Sequence, residues 1–214
     1  MEIVTKIAPI ILALIMLGLG LGLKLEDFGR VFKTPKDFIV GFISQLIILP
    51  IVAYILILIL KTPPEIAIGV MIIAAAPGGV TSNVMTKFAE NFISSKVEIF
   101  NKLNIILFAV FFVAAFYSER ENFISFIKQA GLIALILNIS MIVIAYYIAK
   151  AFASGVKQMK CIALECGLQN GTLALFVSTQ IFGTDVLYAL PTGAYALIMY
   201  ITGFIFIYFL KKSN

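Results

Sequence analysis

The chain predicts an all-α integral membrane protein of about seven transmembrane helices, arranged as an inverted repeat in which two helices are interrupted. Three observations lead there. Of its 214 residues 62% are hydrophobic and 13% charged, and the mean hydropathy is +1.09, whereas a soluble domain is roughly half apolar. The apolar residues fall into seven runs of spanning or near-spanning length. Two of those runs are broken at corresponding places by glycine and polar residues. The net charge of +5 does not argue for nucleic acid, because the basic residues sit in short gaps between apolar runs with no aromatic platform among them. The chain has no His, and Cys161 and Cys166 lie five apart in one apolar run. Neither a zinc site nor a disulfide framework is expected, and both cysteines read as small packing residues.

The first run, 7-23, ends in Gly18, Gly20 and Gly22, small residues that let helices approach closely. It has no cleavage site of small residues and leads into a basic loop, so it reads as a retained helix. The second run, 38-60, carries Gln45 and a kinking Pro50. The third, 65-88, is interrupted at 76-83 by "APGGVTSN", where Pro77 lacks an N–H and Gly78 and Gly79 remove the side chains that keep a helix regular. A polar connection, 91-102, follows. The run at 103-118 has sixteen residues, which cover only about 24 Å at about 1.5 Å per residue. The remaining runs are 126-150, with Asn138, then 156-182, interrupted at 165-172 by "ECGLQNGT", and 185-210.

Charge decides the short run. If 103-118 spans, twelve Lys and Arg residues fall on one side, among them Lys36, Lys150 and Lys157, and four on the other, Lys6, Lys61, Arg120 and Lys128. If it does not, the division becomes nine against seven, and the basic bias that orients membrane proteins nearly vanishes. The expected topology is seven spans in the cell membrane, with the N-terminus outside and the C-terminus cytoplasmic.

Residues 45-54, "QLIILPIVAY", align with 138-147, "NISMIVIAYY", with an amide first and Tyr tenth. Each is followed by a charged loop and then a broken span. The chain therefore divides into a first repeat, 1-90, the connection 91-102, and a second, oppositely oriented repeat, 103-214. Pro77 lies about 18 Å into its span, and Glu165 to Asn170 lie about 14 to 21 Å into theirs. Backbone freed at that depth must line a cavity. A carboxylate there costs about 2.5 to 3.5 kcal/mol on insertion scales, and no Lys or Arg sits at matching depth, so a bound cation is its natural partner. The oxygens of Glu165, Gln169, Gln45, Ser82 and Asn83 suit Na⁺ or another hard cation. Gln45 and Asn138 read equally well as interhelical hydrogen-bond glue. The sequons at Asn138 and Asn170 lie too deep for glycosylation.

The stretches "LGLGLGLKLEDFGRVFKTPKDFIVGFISQLIILP", "AIGVMIIAAAPGGVTSNVMTKFAEN", "IALECGLQNGTLAL" and "LPTGAYALIMYITGF" resemble the bile acid:sodium symporter family, of prokaryotic type, over most of the chain. The resemblance implies a ten-helix transporter in which a panel domain moves against a core domain where two discontinuous helices cross. Carried over by motif, it places Ser82 and Asn83 with Glu165 at one Na⁺ site. A second would use Glu165, Gln169, Gln45 and the carbonyls of Cys166 and Leu168. Asn170, Asn138 and the half-helix start at Val80 and Thr81 would face the organic anion. The chain departs from the family by one helix before the run at 7-23 and two in place of the short 91-102 stretch. That loss preserves the downstream orientation and removes hydroxyl ligands from the first Na⁺ site.

The expected function is sodium-coupled symport of an organic anion by alternating access, with the lipid bilayer as solvent and binding rather than bond-breaking as the chemistry. A shortened relative that binds ligand or acts as an interaction partner without transporting is the alternative, and dimerisation would let such a chain recover lost packing surface. A seven-span receptor fits less well, since the cytoplasmic loops are short and 185-210 has no Lys for retinal before its end. The spans carry no acid–base pair for an intramembrane enzyme.

Overall fold

The computed structural model describes residues 35–78, 123–183 and 185–212, with Gly29 and Phe32 as isolated helical positions ahead of them. The runs at 7-23 and 103-118, the connection 91-102 and the end of the 65-88 run lie outside the described residues. Among the described residues the structure is all-helical. Four of the described segments are long and apolar enough to cross a membrane: Pro35–Ile59, Ile127–Phe152, Val156–Phe182 and Leu190–Phe209. A fifth, Pro64–Ala74, is apolar and shorter. The protein is a multi-pass membrane protein.

The first described span is α1 (Pro35–Ile43), a π turn (Ser44–Ile48) and α2 (Leu49–Ile59) in continuous succession. Pro35 starts α1, where a missing N–H costs nothing. The π turn has a local cause. Leu49's N–H bonds the carbonyl of Ser44, five residues back, and Pro50 has no N–H to offer Leu46. The carbonyls of Gln45 and Leu46 thereby lose the donors a regular α-helix would bring them. At its far end α2 closes in a Schellman motif. Thr62's N–H reaches Ile57's carbonyl at 3.1 Å and Lys61's reaches Leu58's at 3.4 Å, with Lys61 in the left-handed region at φ 49° and two prolines following.

Helix α3 (Pro64–Ala74) starts on Pro63 and Pro64 and ends as the sequence predicts, just before Pro77 and Gly78. Helix α4 (Phe123–Phe152) is a single 30-residue element. The next span is divided into α5 (Val156–Gly167) and α6 (Gly171–Phe182) by the non-helical residues Leu168 to Asn170. Gly183, at φ 61°, terminates α6, and a 3₁₀ turn (Val186–Tyr188) leads into α7 (Leu190–Lys212).

Helix α4 packs against both α5 and α7, and α7 also covers α3. The shared core holds Leu49, Ile66, Ile73, Leu137, Met141 and Tyr195. Gly69 lets α3 meet the start of α7, because a Cβ there would run into the Tyr188 carbonyl and the Pro191 ring. The broken span is the most enclosed of the four: 61% of the Val156–Phe182 window is buried, against 22% for Pro35–Ile59. Placing the most polar span innermost keeps its freed backbone away from lipid. Exposed side chains such as Ile51, Leu58, Val143 and Phe204 instead face outward, where hydrocarbon is the solvent.

Sidedness is visible in one contact. Asp37, in the first turn of α1, accepts from the backbone N–H of Ser154 at 2.7 Å and from its hydroxyl at 2.5 Å. The start of the first span and the α4–α5 loop therefore share a membrane face, which puts Lys36, Lys150 and Lys157 together.

Candidate functional site

The site is the interruption between α5 and α6. A helix C-terminus leaves carbonyls without intrahelical donors, and here side chains from four places supply donors to them. Gln45 donates through Nε2 to the Glu165 carbonyl at 2.9 Å. Gln169 donates through Nε2 to the Cys166 carbonyl at 3.0 Å. The Gly167 carbonyl accepts from Asn138 Nδ2 at 2.6 Å and from the Tyr195 hydroxyl at 3.0 Å. Among the described residues the Leu168 carbonyl receives none of these donors.

The same bonds orient the amides. A carbonyl can only accept, so Gln45 and Gln169 must present their Oε1 atoms elsewhere. Gln169 is fully buried, and its Oε1 has no hydrogen-bond partner among the described residues. A buried acceptor without a donor costs about 1 to 3 kcal/mol, so this oxygen is the strongest sign of a ligand. It sits next to Asn170 and four residues from Glu165, which is half-buried. The negative end of the α5 dipole adds to the preference for positive charge. Amide oxygen, carboxylate and main-chain carbonyls form a donor set that fits a hard cation such as Na⁺.

Three residues further on the polarity reverses. Asn170 caps α6, its Oδ1 accepting from the Leu173 N–H at 3.0 Å, and the N–H groups of the first turn of α6 suit an anion. Asn170's own N–H donates to the Ala76 carbonyl at 3.2 Å, which joins this interruption to the end of α3. The end of α3 and this interruption therefore touch. Beside them an apolar groove of about 480 Å³ is lined by residues including Tyr54, Met71, Ala76 and Leu173.

Of the residues read from the sequence, Glu165, Cys166, Leu168, Gln169 and Asn170 are brought together at the break, with Gln45 and Asn138 reaching it from the first span and α4. Val80, Thr81, Ser82 and Asn83 lie outside the described residues. The sequence reading missed Tyr195 and Thr202. Thr202 donates to Asn138 Oδ1 at 2.6 Å. A signal existed: Thr192, Tyr195 and Thr202 recur at i, i+3 and i+10 along a single face of an otherwise apolar helix.

Comparison with known proteins bears out the resemblance. The sequence description of the Sodium Bile acid symporter family matches residues 9–97. The chain is 41% identical over 87 residues to the uncharacterized sodium-dependent transporter YocS of Bacillus subtilis, covering 41% of this chain and 27% of that protein. It is 22% identical over 238 residues to the probable sodium/metabolite cotransporter BASS1, chloroplastic, of Arabidopsis thaliana, covering 82% of this chain and 59% of that one. It is 21% identical over 221 residues to the human sodium-dependent organic anion transporter, covering 98% and 58% respectively. The chain thus spans between about a quarter and three fifths of the length of these relatives. These relatives are named as transporters and not as enzymes.

Proposed function

We propose that the chain is a sodium-coupled symporter of an organic anion that works by alternating access in the cell membrane, with its N-terminus outside and its C-terminus cytoplasmic. The observation that carries the reading is the Gln169 Oε1, buried and without a hydrogen-bond partner among the described residues, just past the end of α5 and four residues beyond Glu165. Glu165 is the charged Na⁺ ligand. Gln169, Gln45 and the carbonyls of Cys166 and Leu168 are the neutral ones, and Ser82 and Asn83, outside the described residues, are assigned with them by motif. A carbonyl that accepts one hydrogen bond keeps a second lone pair for a cation.

The anion meets the start of α6, where Asn170 uses its oxygen for the cap and keeps its amide N–H groups to donate. By motif Val80 and Thr81, outside the described residues, complete that substrate-facing set, while Asn138, named with them from the sequence, is buried with both ends of its amide engaged and supports the set from behind. The apolar groove beside Ala76 and Leu173 suits the hydrocarbon part of a carboxylate. Cation and anion then sit at oppositely charged half-helix ends a few residues apart, so binding either favours binding the other. The repeats 1-90 and 103-214 supply the two crossing elements of the transport core.

The test is uptake of radiolabelled carboxylates into proteoliposomes under an inward Na⁺ gradient, with K⁺ as control. Na⁺-dependent uptake that is lost in Glu165→Gln is expected; uptake indifferent to Na⁺ would sink the reading. A second reading, a non-transporting shortened relative, is favoured by the short polar stretch 91-102 standing where the resemblance implies two helices. It predicts Na⁺-dependent binding without flux in the same preparation, and it allows a homodimer to restore the missing contacts.

A further inference from the structure

Gly167 is the last residue of α5, and its peptide is held by groups that the proposed ion site does not include. Its carbonyl accepts from both Asn138 and Tyr195, at 2.6 and 3.0 Å. Asn138 Oδ1 in turn accepts from Thr202 Oγ1 at 2.6 Å. The hydroxyl proton of Thr202 has two further acceptors within reach, the Ile198 carbonyl at 2.9 Å and the Met199 carbonyl at 3.4 Å, and the shortest contact is the one to Asn138. Asn138 and Tyr195 are completely buried. All three side chains come from α4 and α7, which pack against each other.

The chemistry of this chain of bonds fixes its direction. Gly167's carbonyl can only accept and Thr202's hydroxyl donates, so the Asn138 amide is locked in a single orientation between them. Tyr195 fills the core with its ring and finds for its hydroxyl the partner a buried phenol needs. Gly167 requires such support because glycine is the residue with the widest backbone freedom. A Cβ there is excluded by Ile142, one turn beyond Asn138 on α4.

We propose that Asn138, Tyr195 and Thr202 form a positioning brace. They hold the Gly167 peptide, and through it the flanking carbonyls of Cys166 and Leu168, in the geometry the ion requires, without themselves touching the ion. Adjacent peptide planes share a Cα, so a carbonyl fixed at Gly167 limits the directions its two neighbours can take. The consequence for the ion rests on the sodium-coupled reading above. The brace itself does not.

The experiment uses full-length protein in detergent and two near-isosteric variants, Tyr195→Phe and Thr202→Val, with Thr202→Ser as the conservative rescue. Hydrogen–deuterium exchange in Na⁺-free buffer reads the segment 164-175 against 140-152 as internal control. Thermal shift across a Na⁺ titration gives the half-saturating concentration. Loss of a single buried hydrogen bond is expected to speed exchange in 164-175 by about three- to tenfold, and to raise the half-saturating Na⁺ by a similar factor. The control segment should stay as in wild type, and Thr202→Ser should behave as wild type. Unchanged exchange in 164-175, or equal loosening of both segments, would overturn the brace. Selective loosening with an unchanged Na⁺ half-saturation would overturn its link to the ion. If wild type shows no Na⁺ response at all, the sodium reading fails, and the exchange result still decides the brace.

Discussion

Gln45 and Asn138 each send an amide N–H to a carbonyl at the end of α5, one from a π turn and the other from an unbroken helix. Asn138 is completely buried and has both ends of its amide engaged. Gln45 is partly exposed, with its nitrogen engaged and its oxygen turned elsewhere. A fully satisfied buried amide is rigid and costly to disturb. A half-used amide at a π turn, where Pro50 removes one helical hydrogen bond, has little to lose by moving. The comparison teaches that the end of α5 is anchored from the α4 and α7 side and adjustable from the side of the first span. A transporter has use for that division, since an ion site must keep its geometry on one wall and open on another.

Substitutions at these positions test that division of roles. The largest effect is expected from Asn138→Leu, which takes one donor from the Gly167 carbonyl and the acceptor from Thr202. A loss of about 1 to 3 kcal/mol is expected in thermal unfolding; a change below about 0.5 kcal/mol would make Asn138 no more integral than Gln45. Next comes Gly167→Ala, whose new Cβ meets the Ile142 side chain. Overpacking of that kind should cost about 1 to 2 kcal/mol by the same measurement, and a neutral result would mean that α4 and α5 can separate freely. Gln45→Leu should change unfolding in K⁺ buffer by less than about 1 kcal/mol, while reducing stabilisation by Na⁺. Equal loss in both buffers would assign Gln45 the same structural role as Asn138. The smallest effect is expected from Pro50→Ala, which returns an N–H to the helix. Stability should move by under about 1 kcal/mol, and the Na⁺ half-saturation should rise because Gln45 no longer leaves a π turn.

Much of this arrangement was legible in the sequence, and the illegible parts share a reason. Pro77 and Gly78 end α3, and the glycines of "ECGLQNGT" flank the second interruption, because proline and glycine act locally and need no partner to break a helix. Asn170 could be read as polar at membrane depth, and its capping bond to Leu173 spans three residues. By contrast, Thr202 finds Asn138 across 64 residues and Gln45 finds Glu165 across 120. No periodicity within a single helix carries those pairings. The π turn was hidden for a related reason: Pro50 announces a missing hydrogen bond but not how the helix accommodates it. The matching amides of "QLIILPIVAY" and "NISMIVIAYY" showed that Gln45 and Asn138 matter to the break without showing that their roles differ.

A cation site at the end of α5 makes thermal unfolding of purified protein depend on the salt, in Na⁺ against K⁺ at equal ionic strength, for wild type but not for Glu165→Gln or Gln169→Leu. A ligand that binds only the folded state stabilises it by about 2.7 kcal/mol at a hundredfold excess over its dissociation constant. A Na⁺-specific rise in the unfolding temperature of wild type, lost in both variants, is expected. Equal melting of wild type in the two salts, or a Na⁺ shift that survives in Glu165→Gln, would contradict it.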